Sequence, residues 1–215
     1  MPIPAITPYP APSADLDANR ADWRPEPGRC ALLIHDMQKY FLDAYDAAQE
    51  PIPELYRNIA ALRAACAEQG IPVLYSAQPG GQDPSRRGLL ADFWGEGMAD
   101  DPAQTRIVDA LAPGPDDIVI TKWRYSAFQR TELADTLRFR RRDQLIITGV
   151  YAHLGCLATA TEAFMRDIQP FFVADAVADF TADEHRMAVD YAARRCATVT
   201  TTARLVDALT PALQR

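Results

Sequence analysis

The apolar run Ala31–Ile34 is followed by His35 and then by Asp36, which puts a carboxylate where a buried strand should give way to a loop. An acid in that place is costly to desolvate, so it is either paired with a cation or used for chemistry. Three further apolar runs end on groups of complementary kind. Gln78 closes "IPVLYSAQ", Lys122 closes "DIVITK", and the stretch Tyr151–Gly155 follows "QLIITGV". An amide can hold a carboxylate or a hydroxyl, and an ammonium can hold an anion or pair with Asp36. Whether Asp36 is paired or used, these groups act together only if the fold gathers the ends of their strands.

The elements that must position them follow from the same runs. "CALLIHD", "IPVLYSAQ", "DIVITK", "QLIITGV", "PFFVAD" and "ATVTTT" read as strands, apolar or β-branched throughout. Helical patterns alternate with them, at 131–140, 156–167, 184–195 and 203–212. The clearest spans 54–69, where Leu55, Ile59, Leu62 and Cys66 form one buried stripe that Gly70 ends. Strands that are apolar on both sides, alternating with helices, predict an α/β fold: a three-layer α/β/α sandwich around a mainly parallel, about six-stranded sheet. In such sheets ligands bind beyond the carboxyl ends of the strands, the region that Asp36, Gln78, Lys122 and Tyr151–Gly155 would share. Residues 76–104 are too long for a mere connector and predict a binding loop or lid.

Seven of the 17 prolines fall within residues 1–28. Proline lacks a backbone donor, so this segment reads as an extended arm lying along the domain or a partner subunit, with residues 29–215 as a single domain. A formal charge of −7 argues against a nucleic-acid partner. Arg138, Arg140, Arg141 and Arg142 read as a solvated helix end. No apolar stretch is long enough to cross a bilayer and no signal peptide is evident, so a cytoplasmic setting and no membrane partner are expected. The four cysteines stand far apart and read as reduced thiols. His35, His153 and His185 show no ligand spacing, and no metal or cofactor is expected; His153 reads as an ordinary loop histidine.

The stretches "LLIHDMQ", "TKWRYSAF" and "GVYAHLGCLATA" resemble the three catalytic stretches of the isochorismatase-like hydrolases. The wider text, with "YSAQPG", "RGLLADFWGEGM", "APGPDD" and "HRMAVDYAARRCA", is similar from Pro4 to Thr202 to the stand-alone members of phenazine and related antibiotic pathways. Many relatives in that superfamily are amidases with an Asp, Lys, Cys triad. Matching "GVYAHLGCL" to their pattern puts Gly155, not Cys156, at the nucleophile position, and successive helical residues point about 100° apart, so the Cys156 thiol should face away from the site.

The resemblance implies hydrolysis of a vinyl ether, which needs an acid rather than a thiol. Asp36 is then the candidate proton donor, Lys122 its charged neighbour, and Gly155 a gap that leaves room for an enolpyruvyl group and exposes backbone N–H groups to it. The implied substrate is 2-amino-2-deoxyisochorismate, with isochorismate accepted as well, and the products are pyruvate and trans-2,3-dihydro-3-hydroxyanthranilate or its dihydroxy counterpart. Gln78 and Arg87, with Arg124 as a further cation, would hold the substrate's carboxylates, and Phe41, Trp94, Tyr125 and Tyr151 would wall it from water. The resemblance also implies a cis peptide between Val150 and Tyr151 and a homodimer. Alternatives are an isochorismatase of siderophore synthesis, a cysteine amidase using Cys156, and a non-catalytic module. The absence of any serine after Ser126 disfavours a phosphopantetheine carrier at the C-terminus and so favours the antibiotic-pathway reading.

Overall fold

The computed structural model describes residues 3–210. Six strands form one all-parallel sheet: β1 (Cys30–His35), β2 (Val73–Ala77), β3 (Ile118–Thr121), β4 (Gln144–Val150), β5 (Gln169–Ala178) and β6 (Thr198–Thr200). Their spatial order is β3-β2-β1-β4-β5-β6. The chain builds outward from β1 to β3, then crosses back to place β4 on the other side of β1. The crossovers therefore diverge between β1 and β4, and the loops there leave an open crevice at the carboxyl ends.

Nine α-helices lie among the described residues: α1 (Lys39–Leu42), α2 (Ile52–Glu68), α3 (Pro84–Arg87), α4 (Leu90–Trp94), α5 (Pro102–Thr105), α6 (Leu133–Phe139), α7 (Leu157–Met165), α8 (Ala182–Arg195) and α9 (Thr202–Leu209). Successive strand residues point to opposite faces. Thus Cys30, Leu32 and Ile34 of β1 pack with α2 and α9, whereas Ala31 and Leu33 pack with α6, α7 and α8. The expected stripe of α2 is buried at Leu55, Ile59, Leu62 and Cys66.

Several boundaries differ from expectation for local reasons. α2 starts two residues earlier, because a proline in the first turn needs no intrahelical donor. α8 starts at Ala182, where the Thr181 hydroxyl accepts from the Glu184 N–H and donates to the Glu184 carboxylate. α9 stops at Leu209, and residues 211 and 212 of the expected helix lie outside the described residues. The segment 76–104 contains α3, α4 and, in part, α5; Asp83 and Asp101 cap α3 and α5 ahead of Pro84 and Pro102. β5 is longer than "PFFVAD", and its register against β4 shifts, with Ile147 opposite Phe172 but Gly149 opposite Val177.

The N-terminal arm lies against its own chain. Ile6 and Tyr9 are buried, the Ile6 N–H donates to Ala44 and the Tyr9 N–H to Glu50. The Asn19 side-chain amide donates to the Val199 carbonyl and accepts from its N–H, closing the edge of β6. No helix among the described residues is long and apolar enough to cross a membrane.

Candidate active site

Asp36, Gln78 and Lys122 are each the residue next after β1, β2 and β3, so the sheet delivers them to one place. Asp36 adopts φ +49, the left-handed region that turns the chain sharply at the strand end. Its carboxylate is 3% exposed and its charge is fully answered. Oδ1 accepts from Ser76 Oγ at 2.6 Å, and Oδ2 accepts from Gln78 Nε2 at 2.9 Å and pairs with Lys122 Nζ at 2.9 Å. Burial raises the pKa of this carboxyl, but the Lys122 charge, the neighbouring His35 and the two hydrogen bonds outweigh it and hold the pKa below the ordinary value. The ammonium of Lys122 completes its shell on the Arg124 carbonyl at 2.6 Å and the Tyr125 carbonyl at 3.4 Å.

One cavity opens above this pair, and it gathers all nine residues selected from the sequence: Asp36, Lys122, Gly155, Gln78, Arg87, Phe41, Trp94, Tyr125 and Tyr151. Arg124 lines it as well. Arg87 is 5% exposed and donates from Nε to the Gly95 carbonyl. The aromatic wall is braced at its polar tips. Trp94 Nε1 donates to Tyr125 Oη at 2.7 Å, and Tyr151 Oη donates to the Phe41 carbonyl at 2.8 Å. The Val150–Tyr151 peptide is cis.

Gly155 lines the cavity, but not as an open gap. A Cβ built there would lie 2.1 Å from His35 Cε1, so the imidazole already fills the space expected for an enolpyruvyl group. The turn's backbone donors are largely committed too. The N–H groups of Leu154 and Cys156 donate to the Tyr151 carbonyl, and that of His153 donates to Asp179 Oδ2.

Other lining residues escaped the sequence reading, notably His35, Tyr40, Phe180 and Ile3 of the arm, while Leu154 belongs to the expected Tyr151–Gly155 turn. Phe180 packs 4.2 Å from Tyr151 and 5.9 Å from Trp94, between ring centroids. The strand expected from "PFFVAD" ends at Asp175, and only the longer β5, which runs to Ala178, brings Phe180 to the crevice. Gln38 acts behind the wall, donating to the Gln78 and Thr105 carbonyls and accepting from the Gln78 N–H.

The isochorismatase domain model matches residues 30–204. The chain belongs to the isochorismatase family. It is 56% identical over 210 residues to the isochorismatase of Bacillus subtilis, covering 97% of this chain and 67% of that protein. It is 52% identical to phenazine biosynthesis protein PhzD1 of Pseudomonas aeruginosa, over 95% of this chain and 99% of that one. Enterobactin synthase component B of Escherichia coli K12 is 51% identical, over 99% of this chain and 75% of its own length. Among solved structures, a cysteine hydrolase of Pseudomonas syringae superposes with a TM-score of 0.80 at 25% identity, covering 87% of this chain and 95% of that one.

In this isochorismatase-family chain the thiol of Cys156 is fully buried in the core with α7 and α8, weakly donating to the Thr148 carbonyl at 3.9 Å, and does not line the cavity. Burial pushes its pKa well above the ordinary value, the opposite of what an attacking thiolate needs. His153, outside the cavity lining, bonds through Nδ1 to Asp179 Oδ1 at 2.6 Å. The sequence showed no metal-ligand spacing, yet the fold does bring ligand atoms of His153, Asp179 and Glu184 within 4.8 Å of one another. Within this group Asp179 accepts from His153 and from the Phe180 N–H, and Glu184 accepts from Thr181.

Proposed function

We propose that this chain hydrolyses the enolpyruvyl ether of isochorismate and of 2-amino-2-deoxyisochorismate, with Asp36 as proton donor. Asp36 transfers a proton to the methylene carbon of the ether, leaving an oxocarbenium ion at the neighbouring carbon. Water adds there and gives up a proton, and the hemiketal collapses to pyruvate and the ring alcohol or amino alcohol. The observation that carries this reading is a buried carboxyl held by Lys122, Ser76 and Gln78 in a cavity whose lining holds no cysteine. Arg87, with no ion-pair partner among the described residues, suits a substrate carboxylate. The names of the relatives fit the same chemistry.

Asp36 must be protonated when it acts, although the ligand-free site favours the carboxylate. Raising an aspartate from ~3.9 to ~6.5 requires about 3.5 kcal/mol. The substrate supplies this by setting its own carboxylate against Lys122 and by expelling water from around Asp36. Mixing the purified protein with either substrate should release stoichiometric pyruvate, and Asp36→Asn should lower the rate at least a thousandfold. Pyruvate release by the Asn variant at a rate near that of the original chain would defeat the assignment.

The setting is the phenazine or a related antibiotic pathway. The alternative is siderophore synthesis, to which a relative of nearly equal identity is tied by name. Comparing kcat/KM for the amino and hydroxy substrates discriminates the two. The same reading carries a cytoplasmic setting, consistent with four unpaired buried thiols, and a homodimer, which light scattering would register as twice the chain mass.

A further inference from the structure

His35 takes part in none of the steps above, yet its ring forms part of the cavity's lining and is 1% exposed. Burial disfavours the charged ring, so it carries one proton, and Nδ1, 2.8 Å from the Val150 carbonyl, is the nitrogen that donates. Nε2, then without a proton, lies 3.3 Å from the Tyr125 carbonyl and packs against it without a hydrogen bond. Val150 precedes Tyr151, so the ring is clasped between the two turns that carry wall residues Tyr125 and Tyr151, while its own strand end carries Asp36. On the remaining side lies Gly155. The three atoms nearest to a Cβ built there all belong to this ring, at 2.1, 2.7 and 3.1 Å. Gly155 has no positive φ, so its backbone would accept any L residue; the ring is what forbids one.

We propose that His35 is a positioning residue that stands in for a side chain at 155: its imidazole fills the floor of the pocket beside Asp36, ties the Tyr151 turn to the end of β1 and packs against the Tyr125 turn, and position 155 is glycine because His35 occupies its side-chain space. The imidazole thereby shuts out any nucleophile at 155. A thiol there would overlap the ring, which the Val150 hydrogen bond and the packing of the Tyr125 turn hold in place. The chain is thus committed to acid chemistry by two positions rather than one.

A thermal double-mutant cycle tests the pairing independently of any substrate. Gly155→Ala alone overpacks the site and should lower Tm by roughly 5 °C. With His35→Ala already in place the same change should raise Tm, because alanine is a better helical residue than glycine and refills the space the ring left. The inversion of sign is the expected result. Additive shifts, a harmless Gly155→Ala in the original chain, or a double variant that fails to fold alongside a stable His35→Ala would each overturn the pairing. If Gly155→Ala is itself insoluble, recovery of soluble protein in the double variant reads the same coupling.

The positioning role rests on the enol-ether reading and is read in kinetics. His35→Ala should raise KM and cut kcat/KM at least thirtyfold, whereas His35→Asn, whose amide can replace the Nδ1 donor to Val150, should recover at least tenfold of that loss. Equal kcat/KM for the two variants would overturn it. A chain that releases no pyruvate at all would instead refute the enol-ether reading, and the thermal cycle would then decide by itself whether His35 and Gly155 are paired.

Discussion

Asp36 is held as an anion by three donors and is asked to act as an acid, and the conflict has a measurable signature. The kcat/KM profile reports ionisations of the free protein and the kcat profile those of the complex. A general acid works only when protonated, so activity should fall as pH rises through its pKa. The pKa governing kcat should therefore lie above the depressed value of the free site, and equal values in the two profiles would refute the idea that substrate carries the proton onto Asp36. At Cys156 the opposite holds, since the thiol is buried away from the cavity. Cys156→Ala should keep turnover within about twofold of the original while costing about 1 kcal/mol of stability for the lost packing. Pyruvate assay and thermal unfolding check the two halves.

Between elements, the turn Ala152–Cys156 at the head of α7 is joined to the end of β5 by the His153–Asp179 contact, and Phe180 beside it packs at a tilt against Tyr151. Burial lowers the pKa of His153, but the hydrogen bond and charge of Asp179 outweigh it and leave the pKa raised above 6.5. A raised histidine pKa contributes stability that is fully present below 6.5 and is lost as pH climbs through the folded value. Tm should accordingly fall as pH rises above about 6.5. His153→Asn should flatten that slope, and an unchanged slope in the variant would assign it elsewhere.

At the scale of the whole molecule, the arm is better described by what it covers than by its lack of regular structure. Ile6 and Tyr9 enter the main core, Asn19 seals the edge of β6, and Ile3 reaches the cavity wall. We propose that the arm and the domain after residue 28 unfold as one cooperative unit. Burial of two large side chains contributes about 3–6 kcal/mol. Deleting residues 1–28 should lower Tm by more than about 5 °C and raise KM, and calorimetry of the intact chain should show a single transition.

Sequence alone determined the layout on which the site depends. Runs apolar on both sides that alternate with helices fit a parallel sheet covered on both faces, and that sheet exposes its strand ends, so Asp36, Gln78 and Lys122 were legible as neighbours before any contact was known. The helical stripe of α2 was legible for the same reason: its periodicity is local. The tertiary structure decided everything that depends on which distant residues meet. The ring of His35 fills the side-chain space at Gly155, 120 positions away in the chain, because β1 and β4 pair in one register and Gly149, at φ +106, lets the strands approach. The placement of Phe180 follows from the register shift in β5, and the pairing of Gln38 with Gln78 joins two loops. No local pattern encodes these meetings, because each is fixed by strand order and side-chain volume acting across the whole core.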